Sequence, residues 1–577
     1  MSTSTRSSAS PPGSKASSDG SSPARSTGPG ASLRSRADAL PGLAVACALG
    51  AATAVLLWRL VPDVRGQPLF EDEAVAGLVG ARPLGELLAT VLWDRGGAPL
   101  HFVLAHVALA LDSSPEALRW LSVVFAVATI PLCYDLGRRL AGPVAGATAA
   151  LVAAASTALA LYGTIGRMYA LLAFVSALSA DLFARALELR TARAAFVAAL
   201  AAVLLPAVHP YGAIVVAVEA AVALAIWRGR PLRPALPVLA VGVLLLPFAV
   251  ADLRLADRFT VGVEGEESLA DPGDAWAQLW RALESFAGGG GWTFAVFLVV
   301  GLAGTAVLLR TRTAFAVFGL AVLLVPPLLF MLLRTGSVMG LSPRHLIFAL
   351  PLWAAAVGAG VARLTRGLPP AATVAIVAAV GALAVLSPLG GMEDPRDRDN
   401  VVLGGGPTAV PTGARAQVTP PADWLRESVE EGDLLFPFSA VFLAGLPATG
   451  EAVTLPYSQT TLLESAVDRL DGAGAIVVAV PTGEAAVDAE GLEAALGEGF
   501  EVRASPGWLL VRAEGPFAEP DGALVPAVAV LNGVLETVDV DRYQELRFYV
   551  ERSLRTACQA LLGDTSLERC EAPGALR

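Results

Sequence analysis

Apolar runs of roughly twenty residues recur along this 577-residue chain, separated by short turns rich in arginine. That alternation restricts the fold more than any other feature. A lipid-facing run of such length satisfies its backbone hydrogen-bonding groups internally only as a helix. The composition agrees: 55% of residues are hydrophobic, 16% are charged, and mean hydropathy is +0.61. A soluble protein of this size has too little interior to hide so much apolar surface. The net charge of -11 says little, because orientation follows where basic residues stand and not their total.

Residues 1–40 are rich in Ser, Pro, Gly and Ala, with scattered Arg6, Lys15, Arg25, Arg34 and Arg36. They read as a disordered basic tail. A cleavable signal would bring its apolar core nearer Met1, so the run 41–61 is an anchor whose basic side faces the cytoplasm. Segments near 115–137, 144–163 and 168–187 follow, then two that meet at His209-Pro210. After these come 235–250, 292–309, one ending before Ser342-Pro343-Arg344-His345, one ending at Arg363 and Arg366, and 370–387. Each expected inner turn carries arginines, as at Arg138-Arg139, Arg190, Arg193, Arg310 and Arg312. The fold class is therefore a polytopic α-helical protein of about eleven spans in the cell membrane. The stretch Pro99–Leu111 is too short to span and reads as a helix at the outer interface.

Residues 41–390 thus form the transmembrane domain, with a first outer loop at 62–114. A Gly/Pro/Arg-rich linker, 391–416, leads to a small extracytoplasmic α/β domain at 417–515. Its expected elements are a helix opening at Asp423-Trp424-Leu425, a strand at 434–438 and a helix at 461–470. A buried strand at 475–480, a helix at 491–496 and a hairpin over 500–511 complete it. Residues 516–577 read as a C-terminal helical tail, with a polar helix over 538–562. Its Cys558 and Cys570 lie in a compartment that permits a disulfide, whereas Cys47 and Cys133 fall inside apolar helices.

Chemistry gathers at the outer ends of the helices. Phe70-Glu71-Asp72-Glu73, in the first outer loop, sets three carboxylates side by side next to a bilayer. Such a cluster calls for a partner cation, a metal or a catalytic task. Asp94 and Arg95 precede the interfacial helix, which carries His101 and His106. Arg167 and Tyr169, His209, and Arg344 and His345 reach the same depth from distant parts of the chain. Carboxylates and cations in one outward-facing cavity suit proton abstraction beside an anionic leaving group. No His/Cys spacing suits a metal, and the i, i+5 separation of His101 and His106 is poor for sharing one. The run Gly288–Gly291 has no following Lys-Ser/Thr and is no phosphate cradle.

The ordered set of pieces resembles a known family. It comprises Asp72-Glu73 in the first outer loop, Gly97-Ala98-Pro99-Leu100-His101-Phe102, and Ala117-Leu118-Arg119. It continues with Leu136-Gly137-Arg138-Arg139-Leu140, Tyr162 with Arg167-Met168-Tyr169, His209-Pro210-Tyr211, and Arg344-His345-Leu346 with Pro351. The chain resembles the polyprenyl-phosphate-sugar-dependent glycosyltransferases of the C-type fold, in the protein mannosyltransferase and aminoarabinose transferase-like branch. The resemblance covers roughly residues 41–390. It implies inverting sugar transfer on the outer face, with Asp72 as general base and Glu73 beside it. It implies that Arg344, with His345 and Arg167, holds the donor phosphate, and that Tyr169, His209, Arg95 and His101 line the cavity. The implied partners are a polyprenyl-phosphate sugar, an acceptor protein, lipid or glycan, and membrane lipids, with no nucleic acid. No cofactor is implied with certainty, and a divalent metal is compatible with the carboxylate pair. The sequence departs from the family pattern at Ala98, usually proline, and at His101, usually Tyr or Phe.

A lipid or solute transporter is the alternative reading. Its one candidate midplane acid is Glu219. In a third reading the outer domain acts alone, but so many spans exceed what an anchor needs.

Overall fold

Helices occupy each apolar run expected to span. They are seen in a computed structural model of the chain, which describes residues 30–66, 71–95, 97–114, 116–226, 236–255, 272–287, 289–333, 341, 343–386, 423–430, 432–437, 442, 453–454, 474–483, 485–515, 517, 522 and 524–538, with isolated helical positions between 546 and 558. Met1–Cys47 and Ala48–Arg577 form two compact units. Helix α1 (Gly30–Gly66) is followed in the first loop by α2 (Glu71–Gly80), α3 (Leu84–Thr90), a π-helical turn Val91–Arg95 and α4 (Pro99–Leu111). Next come α5 (Glu116–Ala141), α6 (Pro143–Ala155), α7 (Thr157–Tyr162), α8 (Tyr169–Leu189), α9 (Ala192–Val208), α10 (Gly212–Ile226) and α11 (Leu236–Leu255). Helices α12 (Pro272–Phe286), α13 (Gly291–Thr311) and α14 (Thr313–Leu333) precede a 3-10 segment, Pro343–Ala349, which runs into α15 (Leu350–Leu364) and then α16 (Pro370–Leu386). Five helical stretches among the described residues are long and apolar enough to cross a membrane, and several shorter apolar helices accompany them.

Three differences from the sequence reading have simple causes. Helix α1 begins at Gly30, inside the segment read as a tail; 31–40 is rich in Ala, Leu and Arg, and extending an existing helix avoids the nucleation cost. The rest of that tail, and the linker 391–416, lie outside the described residues. Helix α4 has the expected bounds, yet it is packed into protein: His101, Phe102, Ala105 and Leu109 are buried, and the helix touches α2, α5 and α9. The stretch between the runs 235–250 and 292–309, where sequence marks no element, contains α12.

The bundle closes around α5, α6, α8, α13 and α15, where small residues let backbones touch. A Cβ added to Gly137 would lie 2.7 Å from the carbonyl oxygen of Ala145. One added to Gly304 would fall on the carbonyl oxygen of Ala356, joining α13 to α15. Overpacking against backbone has no cheap relief, so Gly304→Val is expected to lower stability by about 1–3 kcal/mol. Gly319→Ala, whose new Cβ meets nothing within 4 Å, serves as the control and should leave the melting temperature in detergent unchanged.

The C-terminal α/β region carries α17 (423–428), β1 (Leu434–Phe436), β2 (Val453–Thr454), β3 (Ala475–Gly483), α18 (Ala489–Leu496), β4 (Phe500–Ser505), β5 (Gly507–Glu514) and α19 (Leu524–Thr537). The strand order is β2-β1-β3-β5-β4, with β1 parallel to β2 and β3, and β5 antiparallel to β3 and β4. Strand β3 is apolar from Ala475 to Val480 because both sheet faces are covered. Ile476, Val478 and Val480 pack with Leu492 of α18 and with Leu524, Val528 and Leu531 of α19. Val477 and Ala479 face the opposite way and share a core with Trp424, Leu425, Trp508 and Leu510. Helix α19 lies in the segment read as a helical tail, ahead of the helix expected over 538–562, and its buried positions extend the domain core beyond 515. The expected helix at 461–470 lies outside the described residues. Cys558 is disulfide-bonded, Cys133 is buried and free, and Cys47 is exposed and free.

The second sheet face joins the α/β region to the helices. Its core cluster includes Ala76 and Val79 of α2, Leu87 of α3, Val91 of the π turn and Phe102 and Ala105 of α4. The α/β region therefore seats directly on the first-loop helices.

Candidate functional site

Three acidic residues open α2, where the positive end of the helix dipole favours negative charge. Glu73 is 1% exposed and fully engaged. Its Oε1 accepts from Arg119 Nε at 2.9 Å and from the backbone N–H of Gly166 at 2.7 Å, and its Oε2 accepts from Arg119 Nη2 at 2.8 Å. Arg119 Nη1 donates in turn to the carbonyl of Val64, at 3.1 Å. This two-pronged, charge-assisted contact is the strongest kind of side-chain pair. It ties α1, α2, α5 and the turn after α7 to one point. Gly166 is required there, since a Cβ would stand 2.7 Å from that of Leu118. Ser122 Oγ of α5 donates to the carbonyl of Ile165 at 2.7 Å and fixes the same turn from below.

Arg167 and Tyr169 leave that turn into an aromatic and cationic cluster. The Tyr169 ring centroid lies 4.8 Å from that of Tyr162, 5.9 Å from His209 and 6.4 Å from His345. Tyr211 stacks on His209 at 5.4 Å and reaches His345 at 5.0 Å. The guanidinium of Arg344 sits 5.9 Å from the centre of the Tyr169 ring. His209 ends α9 and accepts the Tyr211 N–H at its Nδ1, 3.2 Å away, so the Pro210 turn holds the imidazole in place. Ser176 Oγ of α8 donates to the Phe348 carbonyl at 2.5 Å and anchors the 3-10 segment that carries Arg344 and His345.

Two guanidinium groups, those of Arg167 and Arg344, act on the buried imidazoles of this cluster. Burial, followed by the charges of Arg167 and Arg344, pushes the His209 imidazole down to about 3. Burial and Arg167 do the same to His101, also to about 3, against a hydrogen bond to the Gly166 backbone. Both rings are thus neutral at pH 7, and the guanidinium groups carry the positive charge of the cluster. His101 Nε2 is buried with no hydrogen-bond partner among the described residues.

The structure brings together Arg167, Tyr169, His209, Arg344 and His345, and sets His101 beside them through Gly166 and Arg167. Glu73 joins them through Gly166 as a bound anchor. Asp72 lies in the first turn of α2, one residue before Glu73, and Arg95 ends the π turn; their side chains lie outside the described ones. Arg119, Tyr162 and Tyr211 were not singled out as site residues. Arg119, entering an apolar span three residues after Glu116, looks in sequence like a residue reaching for headgroups. Among the described residues no three carboxylate, imidazole or thiol side chains converge as a metal site would need. Glu219 of α10 is 5% exposed and accepts from Ser179 Oγ of α8 at 2.7 Å, which satisfies it across the bundle.

No family model and no curated protein matches this sequence. Solved structures do. The crystal structure of ArnT from Cupriavidus metallidurans bound to undecaprenyl phosphate superposes with a TM-score of 0.51 at 14% identity, covering 82% of this chain and 99% of that one. The apo form of the same ArnT gives 0.50 at 13% identity, with the same coverage of both chains. This chain shares the ArnT fold. At such identities the likeness is one of architecture, and function has to be argued from the site.

Proposed function

We propose that this protein moves a sugar from a polyprenyl-phosphate donor to an acceptor hydroxyl at the outer face of the cell membrane, with inversion at the sugar carbon. One observation carries the reading: Glu73 links the acidic turn of α2 to the Gly166-Arg167 turn, and that turn leads into the Arg344 cluster. A base and an anion-binding group thereby come from separate elements to one end of the bundle. In the reaction, the Asp72 carboxylate takes the acceptor hydroxyl proton as the oxygen attacks the sugar C1. The bond from C1 to the phosphate oxygen breaks, its electron pair stays on that oxygen, and polyprenyl phosphate departs. Arg344 and Arg167 stabilise the charge that builds on the leaving phosphate. Glu73 acts through position, since its lone pairs are held by Arg119 and Gly166. The acceptor is a protein, a lipid or a glycan, and the α/β region seated on the first-loop helices stands where it would meet one.

The outer placement of the site rests on charge. Arg138 and Arg139 at the far end of α5, and Arg310 and Arg312 at the far end of α13, would face the cytoplasm under the positive-inside rule. The lipid phosphate bound by ArnT adds to the donor assignment by analogy of fold.

Arg344 gives a direct test. A charge-assisted hydrogen bond to phosphate contributes about 1.5–3 kcal/mol. Arg344→Gln is therefore expected to weaken binding of a short-chain polyprenyl phosphate by about ten- to a hundredfold in reconstituted protein. Unchanged affinity would remove Arg344 from the phosphate site.

A further inference from the structure

Helix α12 has two faces with different work. Ala275, Leu279, Ala282 and Phe286 are buried at helical spacing, and with them the helix packs on α7, on α14 and on the 3-10 segment that carries Arg344. Ser156 Oγ, at the break between α6 and α7, donates to the Ser285 carbonyl at 3.1 Å and pins the end of α12. Beside that buried stripe stand Trp276 and Trp280, four residues apart and therefore on one line of the helix, 39% and 49% exposed. Tryptophans so placed on a surface helix need a cover.

The cover is indicated by what the stripe continues into. The Trp280 ring meets Phe294 edge-on, with centroids 4.8 Å apart, and Phe294 belongs to the first turn of α13, a span long and apolar enough to cross the bilayer. Trp292, in the same turn, is 69% exposed. The indole N–H of Trp280 is turned back to Glu284 Oε1 at 2.9 Å, so its polar tip is satisfied and its ring edge is apolar. Arg281, also exposed, stands on the other flank of the helix, within reach of headgroup phosphates. Indole rings of this kind favour the layer between headgroups and hydrocarbon.

We propose that α12 is a membrane-interface helix, seated in the bilayer by Trp276, Trp280 and Trp292, and that it backs the segment holding Arg344 on the side that faces lipid. The seating follows from the membrane reading of α13 and involves no sugar chemistry. A lipid-borne phosphate would meet this helix on its way to Arg344.

The test uses a fluorophore attached through Trp276→Cys in the full-length Cys47→Ser protein, reconstituted in phosphatidylcholine/phosphatidylglycerol vesicles. Arg503→Cys on exposed strand β4 reports the aqueous limit, and Val299→Cys on the exposed side of α13 reports the hydrocarbon limit. The label at 276 is expected to lose emission to lipids spin-labelled near the headgroup more than to lipids labelled deep in the chain. It is also expected to be shielded from iodide relative to the label at 503. Iodide quenching equal to that at 503, or deep-lipid quenching equal to that at 299, would each overturn the proposal. Because no substrate is present, neither result depends on whether the protein transfers sugar.

Discussion

Replacing Arg119 by methionine is expected to destabilise the protein by about 3–5 kcal/mol, because it strands the Glu73 carboxylate in a site where it is 1% exposed. Taking one partner from a buried pair costs far more than the pair contributes, since the remaining charge loses both water and counter-ion. Glu73→Gln is expected to cost less, since an amide keeps the oxygen that accepts the Gly166 N–H. The double change Glu73→Met with Arg119→Met, which removes both charges, should recover a large part of the loss. The check is a double-mutant cycle of Glu73→Met, Arg119→Met and the two together on thermal unfolding in detergent, with a coupling energy well above the 0.2–1 kcal/mol typical of exposed pairs. A structural knot predicts one more thing: activity in Glu73→Gln should fall together with the order of the Gly166 turn.

Asp72→Asn is expected to have the larger effect on chemistry. Removing a positioned general base costs about 10²–10⁴ in rate. The substitution is isosteric and lies at a helix N-terminus, where Asn is tolerated, so the melting temperature should move little. The KM for donor should also hold, because the phosphate contacts proposed here come from Arg344 and Arg167. A fall in kcat at constant KM and constant stability is the signature of a group acting only in the transition state. A parallel loss of stability would make Asp72 a structural partner of Glu73 instead.

The helical runs were readable because hydropathy and arginine placement are local properties, and helices fill every run they mark, five of them long and apolar enough to cross a membrane among the described residues. The cluster of Arg167, Tyr169, His209, Arg344 and His345 was readable as a shared depth, since each residue stands at the same end of its helix. What joins the pieces was not. The Glu73 contacts to Arg119 and Gly166 link positions 46 and 93 residues apart, and nothing local announces them. Helix α12 was missed because its apolar positions alternate with Trp276, Trp280 and Arg281 inside a charged loop, which hid a helical period in a polar average. The seating of the α/β region on α2, α3 and α4 was missed for the opposite reason. The apolar residues of these elements look like ordinary core until one sees that a single sheet has two covered faces.

The central claim is sugar transfer from a polyprenyl phosphate, and one measurement addresses it directly. Purified wild type and Asp72→Asn protein, reconstituted in lipid, would be offered a small panel of polyprenyl-phosphate sugars with crude cell-envelope acceptor, and released polyprenyl phosphate would be quantified. Release with at least one donor is expected from wild type, and none above background from Asp72→Asn. No release with any donor, while labelled lipid crosses the bilayer in the same vesicles, would contradict it and favour a transporter.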